Sequence, residues 1–276
     1  MTEHKPKRLS SIVVKQANQT AETLAHQLNL SIVKNPPKNE AQWLEWIFDK
    51  KTSSLRLSLC SHDSGPVNID FLSGKKAHRQ KFGGGKGQPL VRAMGTIEKG
   101  LPTIIDATAG MGGDSFVLAS LGFKVLMLER SPIIASLLQD ALERAQQSMT
   151  EYSVEVQPSI KNLSLIHADS AAFLLTEKPD IDVIYMDPMY PDKKKKAAAK
   201  KDMQALQHLV GPDIDSRYLL DVALQTAKYR VVVKRPKTAP SIQSSLGDIQ
   251  PSTQIKSPNT RYDIYAIKAL KASGKI

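Results

Sequence analysis

The sequence has little cysteine, few aromatic residues and no long apolar run. Its single cysteine, Cys60, cannot form an internal disulfide or a cysteine metal cluster. The longest apolar runs, such as residues 116–121, are far shorter than the ~20 residues that a bilayer span needs. Residues 1–11 are polar and basic and precede no apolar segment, so no secretory signal is apparent and we expect a cytoplasmic protein. Aromatic residues make up only 5%, which disfavours a broad base-stacking surface.

Recognisable metal-binding and hydrolytic patterns are also missing. The six histidines show no ligand spacing such as H-x₃-H, so we expect no metal site. No Ser-His-Asp or Cys-His arrangement can be argued from the order of these residues. Cys60 lies in an alternating apolar segment and is most simply a core residue.

The chain has the composition of an ordinary globular protein and an excess of basic residues. Its 276 residues are 41% hydrophobic and 24% charged, which excludes a wholly disordered, collagen-like or coiled-coil chain. This length suits one large α/β domain with an appendage. The 38 Lys and Arg residues against 27 Asp and Glu give a net charge of +11. Such a charge favours a polyanionic partner, of which nucleic acid is the commonest.

The chain divides into three zones. Residues 1–75 predict a small α/β appendage with a helix at 16–28 and alternating, strand-like segments at 55–59 and 67–71. Residues 76–100 form a basic, glycine-rich connecting segment with a helix near 89–94. Residues 101–276 alternate strand and helix signals, which predicts a parallel, doubly wound sheet, and end in a hairpin with strands expected at 252–256 and 261–268. The strands of this zone are expected at 103–106, 124–129, 163–167, 181–186 and 230–233, and its helices at 114–121, 132–147, 197–209 and 216–227.

A glycine-rich turn follows the first strand of the third zone. In an open α/β sheet the ligand lies beyond the carboxyl ends of the strands, where Asp106 ends this strand. The glycines let the backbone approach a ligand and direct the start of the next helix toward it. A dinucleotide fingerprint is disfavoured because Ser115 stands where its third glycine would be. The candidate cofactor-binding residues of this turn are Asp106, Gly110, Gly112, Gly113 and Asp114.

Acidic residues end two further strands. Glu129 stands about 20 residues after Gly110, the spacing of a carboxylate that accepts hydrogen bonds from both ribose hydroxyls of a nucleoside cofactor. Asp169, with Ser170 beside it, follows the third strand and has two interpretations. It accepts a bond from an adenine amino group, or it caps the helix that begins at Ser170.

The segment Asp187-Pro188-Met189-Tyr190 is the most specific signal in the chain. It is similar to the (Asp/Asn)-Pro-Pro-(Tyr/Phe) motif of S-adenosylmethionine-dependent methyltransferases that act on exocyclic amines, with Met189 in place of the second proline. The lone pair of an aryl amine is delocalised, so an acceptor such as the Asp187 carboxylate is needed to orient it. Pro188 stiffens the loop and Tyr190 stacks on the base. A proline-rich turn without a catalytic role is the alternative.

Basic residues form two stretches and a pair that predict contacts with RNA phosphates. One stretch is glycine-rich and the other follows the Asp187 loop, while the pair ends the fifth strand. A flexible linker and a solvated helix end are the alternatives for the two stretches. The residues concerned are Lys75, Lys76, Arg79, Lys81, Lys86, Lys193, Lys194, Lys195, Lys196, Lys234 and Arg235.

Taken together, several segments between about residues 71 and 268 resemble the RsmJ family of bacterial small-subunit ribosomal RNA (guanine-N2)-methyltransferases. They are AHRQKFGGGKG at 77–87, DATAG at 106–110, MLER at 127–130, DPMYP at 187–191, LVGPD at 209–213, VKRP at 233–236 and RYDIY at 261–265. The first 70 residues match poorly.

The resemblance implies a class I methyltransferase fold with a seven-stranded sheet, S-adenosylmethionine as methyl donor and a guanine of 16S rRNA as acceptor. We expect a monomer that acts on this RNA or on the small ribosomal subunit. Two alternatives remain: methylation of another amine, in DNA adenine or protein glutamine, and RNA binding without catalysis. The resemblance implies cofactor contacts at Gly113, Asp114, Glu129, Arg130, Asp169, Ser170 and Asp187.

Overall fold

A computed structural model describes residues 9–15, 19–50, 53–72, 85–147, 157–189 and 215–276. The helix expected at 197–209 and most of the glycine-rich stretch lie outside these residues. Within them the chain forms two sheets, one of four strands and one of seven.

The smaller sheet is built from the N-terminal part of the chain. Its strands lie in the order β2-β1-β3-β4, with β1 parallel to both of its neighbours and β3 paired antiparallel with β4. The helix α1 (Gln19–Leu28) connects β1 to β2. The strands are β1 (Ser11–Val13), β2 (Ser31–Val33), β3 (Gln42–Asp49) and β4 (Ser54–Ser61).

The larger sheet has the order β10-β11-β9-β8-β5-β6-β7. The strands β5 to β9 are parallel, while β11 runs antiparallel to β9 and forms a terminal hairpin with β10. This arrangement confirms the predicted class I methyltransferase topology. The strands are β5 (Ile104–Asp106), β6 (Val125–Glu129), β7 (Leu163–His167), β8 (Val183–Met186), β9 (Arg230–Pro236), β10 (Thr253–Lys256) and β11 (Thr260–Ala266).

The remaining helices connect these strands or follow them. Pro132 stands at the first position of its helix, where the missing N–H of proline costs no hydrogen bond. Among the residues that the structure describes, no helix is long and apolar enough to cross a membrane. The helices are α2 (Pro89–Met94), α3 (Gly113–Ser120), α4 (Pro132–Gln147), α5 (Gln157–Lys161), α6 (Ser170–Glu177), α7 (Ser216–Thr226) and α8 (Ile267–Ala272).

Both faces of the larger sheet are covered by apolar side chains. Because successive residues of a strand point to opposite faces, Ile104 packs with Phe116 of α3 and with α4, whereas Ile105 packs with Leu174 of α6 and Leu220 of α7. The strand segments are therefore short continuous apolar runs, which made them recognisable in the sequence.

The smaller sheet shares a hydrophobic core with the larger one. Leu57 and Leu59 of β4 belong to the same buried cluster as α3 and α4. The rings of Phe71 and Phe116 stack with centroids 5.1 Å apart. Arg144 of α4 donates a 2.6 Å bond to the carbonyl of Ile69. The division at residues 75 and 100 stays a prediction, but the N-terminal part packs on the helices α3 and α4, which cover one face of the larger sheet.

Three local predictions differ from the structure. Residues 67–71 do not form a strand, since only Val67 bridges β4, at Leu59. The last strand ends at Ala266 and the chain continues as α8, where the sequence predicted strand to residue 268. The sequence does not predict the strands β1, β2 and β3, because β1 and β2 have three residues each and the segment Gln42–Asp49 shows no regular alternation.

Gly112, which precedes α3, offers a test of the contact between the N-terminal part and the larger sheet. Its φ is +67°, and an added Cβ would lie 2.9 Å from Leu138 Cδ2 and 3.1 Å from Phe71 Cζ. Gly112→Ala should lower the free energy of unfolding by about 2 kcal/mol or more, since the left-handed backbone alone costs about 1–2 kcal/mol. Urea unfolding followed by circular dichroism measures this loss.

Gly113 provides the matched control for that substitution. An added Cβ there has no neighbour within 4 Å, and the residue is helical. Gly113→Ala should therefore be neutral or stabilising by up to about 1 kcal/mol. Equal unfolding free energies for the two variants would contradict the packing argument.

Candidate active site

The candidate site lies where the carboxyl ends of β5, β6, β8 and β9 meet. These strands are parallel neighbours, so their ends share one edge of the sheet. Asp106 and Glu129 are the last residues of β5 and β6, Asp187 follows β8, and Lys234 lies near the end of β9. The topology thus brings together residues separated by up to 128 positions in the sequence.

The glycine turn after β5 is held in an open, fixed shape. Gly110 has a φ of +52°, and the Gly112 N–H donates a 2.8 Å bond to the Ala109 carbonyl. The Ala109 N–H in turn donates to Leu128 of β6. Beside Gly113 a Cβ would find open space, so a ligand can approach the backbone at the start of α3.

Glu129 fastens this turn to the end of β6. Its Oε2 accepts a 2.9 Å bond from the Gly110 N–H, and its Oε1 accepts a 2.8 Å bond from the Ser131 N–H. The side chain is buried, so both bonds orient the carboxylate firmly. Each carboxylate oxygen can accept more than one hydrogen bond, and these contacts are compatible with a ribose as a further partner.

Asp106 is a fully enclosed carboxyl group at the centre of the edge. It accepts hydrogen bonds from the Thr108 N–H and from the Ser115 hydroxyl. Burial raises its pKa to about 7, since the bonds from Ser115 and Thr108 only partly offset the lost hydration, and the negative charges of Asp114 and Asp187 raise it further. Asp106 is therefore partly protonated near neutral pH. Its hydrogen bonds connect the end of β5 to Thr108 and Ser115, so its role is structural.

Four side chains form a connected polar cluster at the same edge. Lys234 Nζ lies 2.8 Å from Asp114 Oδ2 and 2.7 Å from Asp187 Oδ2. The Tyr185 hydroxyl donates a 2.7 Å bond to the same oxygen of Asp114. Burial lowers the pKa of Lys234, but the charges of Asp187 and Asp114 and their hydrogen bonds outweigh it, so the pKa is raised and the ammonium stays charged.

The Asp187 loop is held to the glycine turn as well. The Asp187 N–H donates a 2.6 Å bond to Thr108 Oγ1, and Pro188 is buried. The Asp187 side chain keeps 40% of its surface exposed, so an incoming amine can reach it. Tyr190 lies outside the described residues, and its stacking role stays a prediction.

The structure gives Asp169 and Ser170 helix-forming contacts. Asp169 Oδ1 accepts a 2.9 Å bond from the Ala172 N–H, which is the capping interpretation of this residue. The Ser170 hydroxyl donates a 2.7 Å bond to the Ala107 carbonyl and ties α6 to the turn after β5. Asp169 is exposed beside the site, so an adenine contact stays a prediction.

Arg130 connects the end of β6 to the start of α7. Its Nη1 lies 2.7 Å from Asp215 Oδ2, and its carbonyl is 3.3 Å from His167 Nε2. The pair is partly exposed, so its contribution to stability is small. It connects Asp215, at the start of α7, to the residue that follows β6.

Two predicted RNA contacts receive a different role from the structure. Lys234 is enclosed by Asp114 and Asp187, so its charge is already balanced within the protein. Arg235 is buried and its guanidinium donates two bonds to the Pro240 carbonyl. Lys86 belongs to the turn Gly85–Gly87. The other predicted contacts, Lys75, Lys76, Arg79, Lys81, Lys193, Lys194, Lys195 and Lys196, lie outside the described residues.

Sequence reasoning missed three residues of the site: Thr108, Ser115 and Tyr185. Thr108 and Ser115 hold Asp106, and Tyr185 holds Asp114. Thr108 lies within the glycine turn and Tyr185 two residues before Asp187, so their proximity to the motifs was the available signal. The contact between Tyr185 and Asp114 depends on pairing between β5 and β8, which the motifs do not encode.

Comparisons with known proteins agree with this geometry. Residues 23–267 match the family described as "Putative SAM-dependent methyltransferase". The chain is 57% identical to Ribosomal RNA small subunit methyltransferase J of Hydrogenovibrio crunogenus, over 93% of this chain and 94% of that protein. It is 45% identical to the protein of the same name in Chromobacterium violaceum, over 92% and 94%. A crystal structure of a SAM-dependent methyltransferase from Neisseria gonorrhoeae has a TM-score of 0.67 and 29% identity, covering 93% of this chain and 95% of that one.

The two bonds to Glu129 lead to a prediction about cofactor affinity. In Glu129→Gln an amide NH₂ replaces one carboxylate oxygen, so it faces the N–H of Gly110 or of Ser131 instead of accepting from it. Affinity for S-adenosylmethionine should fall by about 1.5–3 kcal/mol, as for a lost charge-assisted bond. Isothermal titration calorimetry measures the change, with Glu143→Gln on the exposed side of α4 as control. Unchanged affinity would exclude Glu129 as a cofactor ligand.

The raised pKa of Asp106 leads to a prediction about stability. The folded protein holds this proton up to a pH of about 7, whereas the unfolded chain releases it near 3.8, so the stability from Asp106 is lost as pH rises between these values. Asp106→Asn imitates the protonated group and should remove this loss. Between pH 5 and pH 8, urea midpoints should fall more for the parent than for the variant. Parallel pH dependence would show that Asp106 is ionised throughout.

Proposed function

Because the chain belongs to the family of S-adenosylmethionine-dependent methyltransferases that includes the rRNA small subunit methyltransferase J proteins, we propose that it methylates the N2 amine of a guanine in 16S rRNA. The name shared by its relatives supports the small-subunit rRNA as substrate. The Asp187 loop supports an exocyclic amine as acceptor, because its carboxylate is exposed and fixed at the carboxyl end of β8.

The polar groups at the edge of the sheet suit S-adenosylmethionine. Glu129 would accept hydrogen bonds from the ribose hydroxyls, and Asp169 would accept one from the adenine amine. The backbone beside Gly113, where a Cβ would find open space, suits the amino-acid carboxylate at the start of α3. When bound, the cofactor supplies an electrophilic methyl group on a sulfonium sulfur.

The proposed role of Asp187 is to orient the amine. The guanine N2 lone pair is delocalised into the ring, so hydrogen bonds from its N–H groups to Asp187 would hold it in the reactive direction. The bond from the Asp187 N–H to Thr108 Oγ1 fixes this acceptor relative to the glycine turn. Tyr190 would stack on the base, and a guanine in paired RNA would have to leave the helix to reach it.

The proton released by the amine needs no strong base in this proposal. The nitrogen becomes acidic as the new N–C bond forms, so Asp187 can accept the proton late or pass it to water. Asp106 is enclosed by Thr108 and Ser115 and does not face the exposed side of the loop. It supports the turn and takes no part in the transfer.

RNA binding would come chiefly from basic residues beyond the Asp187 loop. The net charge of +11 favours a polyanion, and the lysines at 193–196 follow the loop directly. A guanine inserted at Asp187 would bring its flanking phosphates near them. We propose that these lysines, together with those of the stretch at 75–86, hold the RNA backbone.

Mass mapping of 16S rRNA tests the proposal directly. In a strain that lacks the protein, one guanine should lose its N2 methyl group, and the parent gene should restore it. Loss of a methyl group from another base of 16S rRNA would overturn the proposed substrate. So would unchanged methylation of 16S rRNA together with loss of a methyl group from DNA adenine or from protein glutamine.

Asp187→Ala tests the amine-orienting role in the purified protein. It should slow single-turnover transfer by about 10²-fold or more at saturating cofactor and RNA, because positioning acts most strongly in the transition state. Tyr190→Ala should cost less, with a stacking loss of about 1–3 kcal/mol divided between binding and rate. Cofactor affinity is measured beside the rate. A folded Asp187→Ala variant that reacts at the parent rate would refute this mechanism.

A further inference from the structure

Lys234 occupies a place that an RNA-binding lysine would not. Only 22% of its side chain is exposed, and its ammonium lies between two carboxylates from different elements. Asp114 belongs to the first turn of α3, beside the glycine turn, and Asp187 begins the loop after β8. One cation thus connects the start of α3, where we propose that the cofactor binds, to the Asp187 loop, where we propose that the acceptor amine binds.

The strand register determines this placement. β8 and β9 pair with Met186 opposite Val233, so the next residues, Asp187 and Lys234, lie side by side at the edge of the sheet. Lys234 is also paired with Tyr262 of β11 and therefore has neighbours on both sides. Its backbone is fixed within the sheet, and its ammonium is held by the contacts with Asp114 and Asp187.

Asp114 is the better anchored of the two carboxylates. Its side chain is only 10% exposed, it accepts from the Tyr185 hydroxyl, and it benefits from the partial positive charge at the start of α3. The Asp187 side chain is 40% exposed. Lys234 therefore links the more exposed Asp187 to the well-anchored Asp114 and restricts the movement of the Asp187 side chain.

We propose that Lys234 is a positioning residue for methyl transfer, which holds the Asp187 carboxylate in the orientation that the acceptor amine requires. The inference rests on the proposed function. Lys234 does not contact the reacting atoms. It acts by binding Asp187 Oδ2, which fixes the rotation of that carboxylate, and by offsetting the repulsion between Asp187 and Asp114.

Electrostatics supports this role. The titratable groups around the ammonium are Asp114 from α3, Asp187 and Tyr185 from β8 and its loop, Asp106 from β5 and Tyr262 from β11. Burial raises the pKa of Tyr185, and the nearby carboxylates raise it further, so this hydroxyl keeps its proton as a donor to Asp114. Without Lys234 the carboxylates would lose their common cation and would take up protons at a higher pH.

The test compares Lys234→Met with Lys234→Arg and with a matched control. Lys228→Met is the control, because Lys228 forms an exposed ion pair with Asp180 near the opposite end of β9. Single-turnover transfer to 16S rRNA should slow by about 10²-fold in Lys234→Met at saturation of both substrates, with cofactor affinity within about threefold of the parent. The acidic limb of its pH profile should shift upward. Lys234→Arg should recover part of the rate and the parent pH profile, because it keeps the charge.

Hydrogen–deuterium exchange without RNA gives a second readout that does not depend on activity. In Lys234→Met the backbone amides of Met186, Asp187 and Met189 should exchange about tenfold faster, because the loop opens more often, while Lys228→Met should match the parent. Unchanged exchange in Lys234→Met would overturn the positioning role. So would parent-like turnover, or a cofactor affinity that falls as much as the rate.

The two proposals fail in distinguishable ways. If the parent protein transfers no methyl group to guanine N2, the proposed function fails, and the exchange experiment still decides whether Lys234 positions Asp187. If the parent transfers the methyl group and Lys234→Met does so equally fast, the inference about Lys234 fails alone.

Discussion

Parallel pairing of β5 with both β6 and β8 is the constraint on which the candidate site depends. It places three strand ends side by side, so the loop after each strand begins at the same edge of the sheet. Hydrogen bonds then connect neighbouring loops: Glu129 accepts from Gly110, and Asp187 donates to Thr108. The turn after β5 is therefore held from both sides, and its open shape follows from its neighbours as much as from its own glycines.

This convergence has an electrostatic consequence. Asp106, Asp114 and Asp187 meet in a partly dehydrated space, where like charges repel and carboxylates hold protons more tightly. Two features reduce this repulsion. Asp106 has a raised pKa and accepts hydrogen bonds from its neighbours, and Asp114 and Asp187 share the Lys234 ammonium as a counter-ion. Asp187, the more exposed carboxylate of the two, thus keeps a cation beside it.

The sequence predicted the parts of the site that depend on local pattern. Apolar runs located β5 to β9, and the acids at their ends predicted one shared edge of the sheet, where the structure places Asp106, Glu129 and Asp187. It could not predict the roles of Lys234 and Tyr185, because these depend on which strands are neighbours and on their register. In the sequence, the charge of Lys234 and its place at the end of the fifth strand predict a contact with RNA. A lysine at the end of a strand looks the same in the sequence whether phosphates or carboxylates surround it.

The N-terminal part supports the site, although Lys75 is the only predicted functional residue that falls within it. Phe71 stacks on Phe116 of α3 and lies where a Cβ on Gly112 would clash. It therefore packs behind the turn whose front side is open toward a ligand. Arg144 fixes the same segment through the Ile69 carbonyl. Since close-packed interiors transmit displacement, the position of α3, and with it Asp114, depends on a segment whose sequence suggested only an appendage.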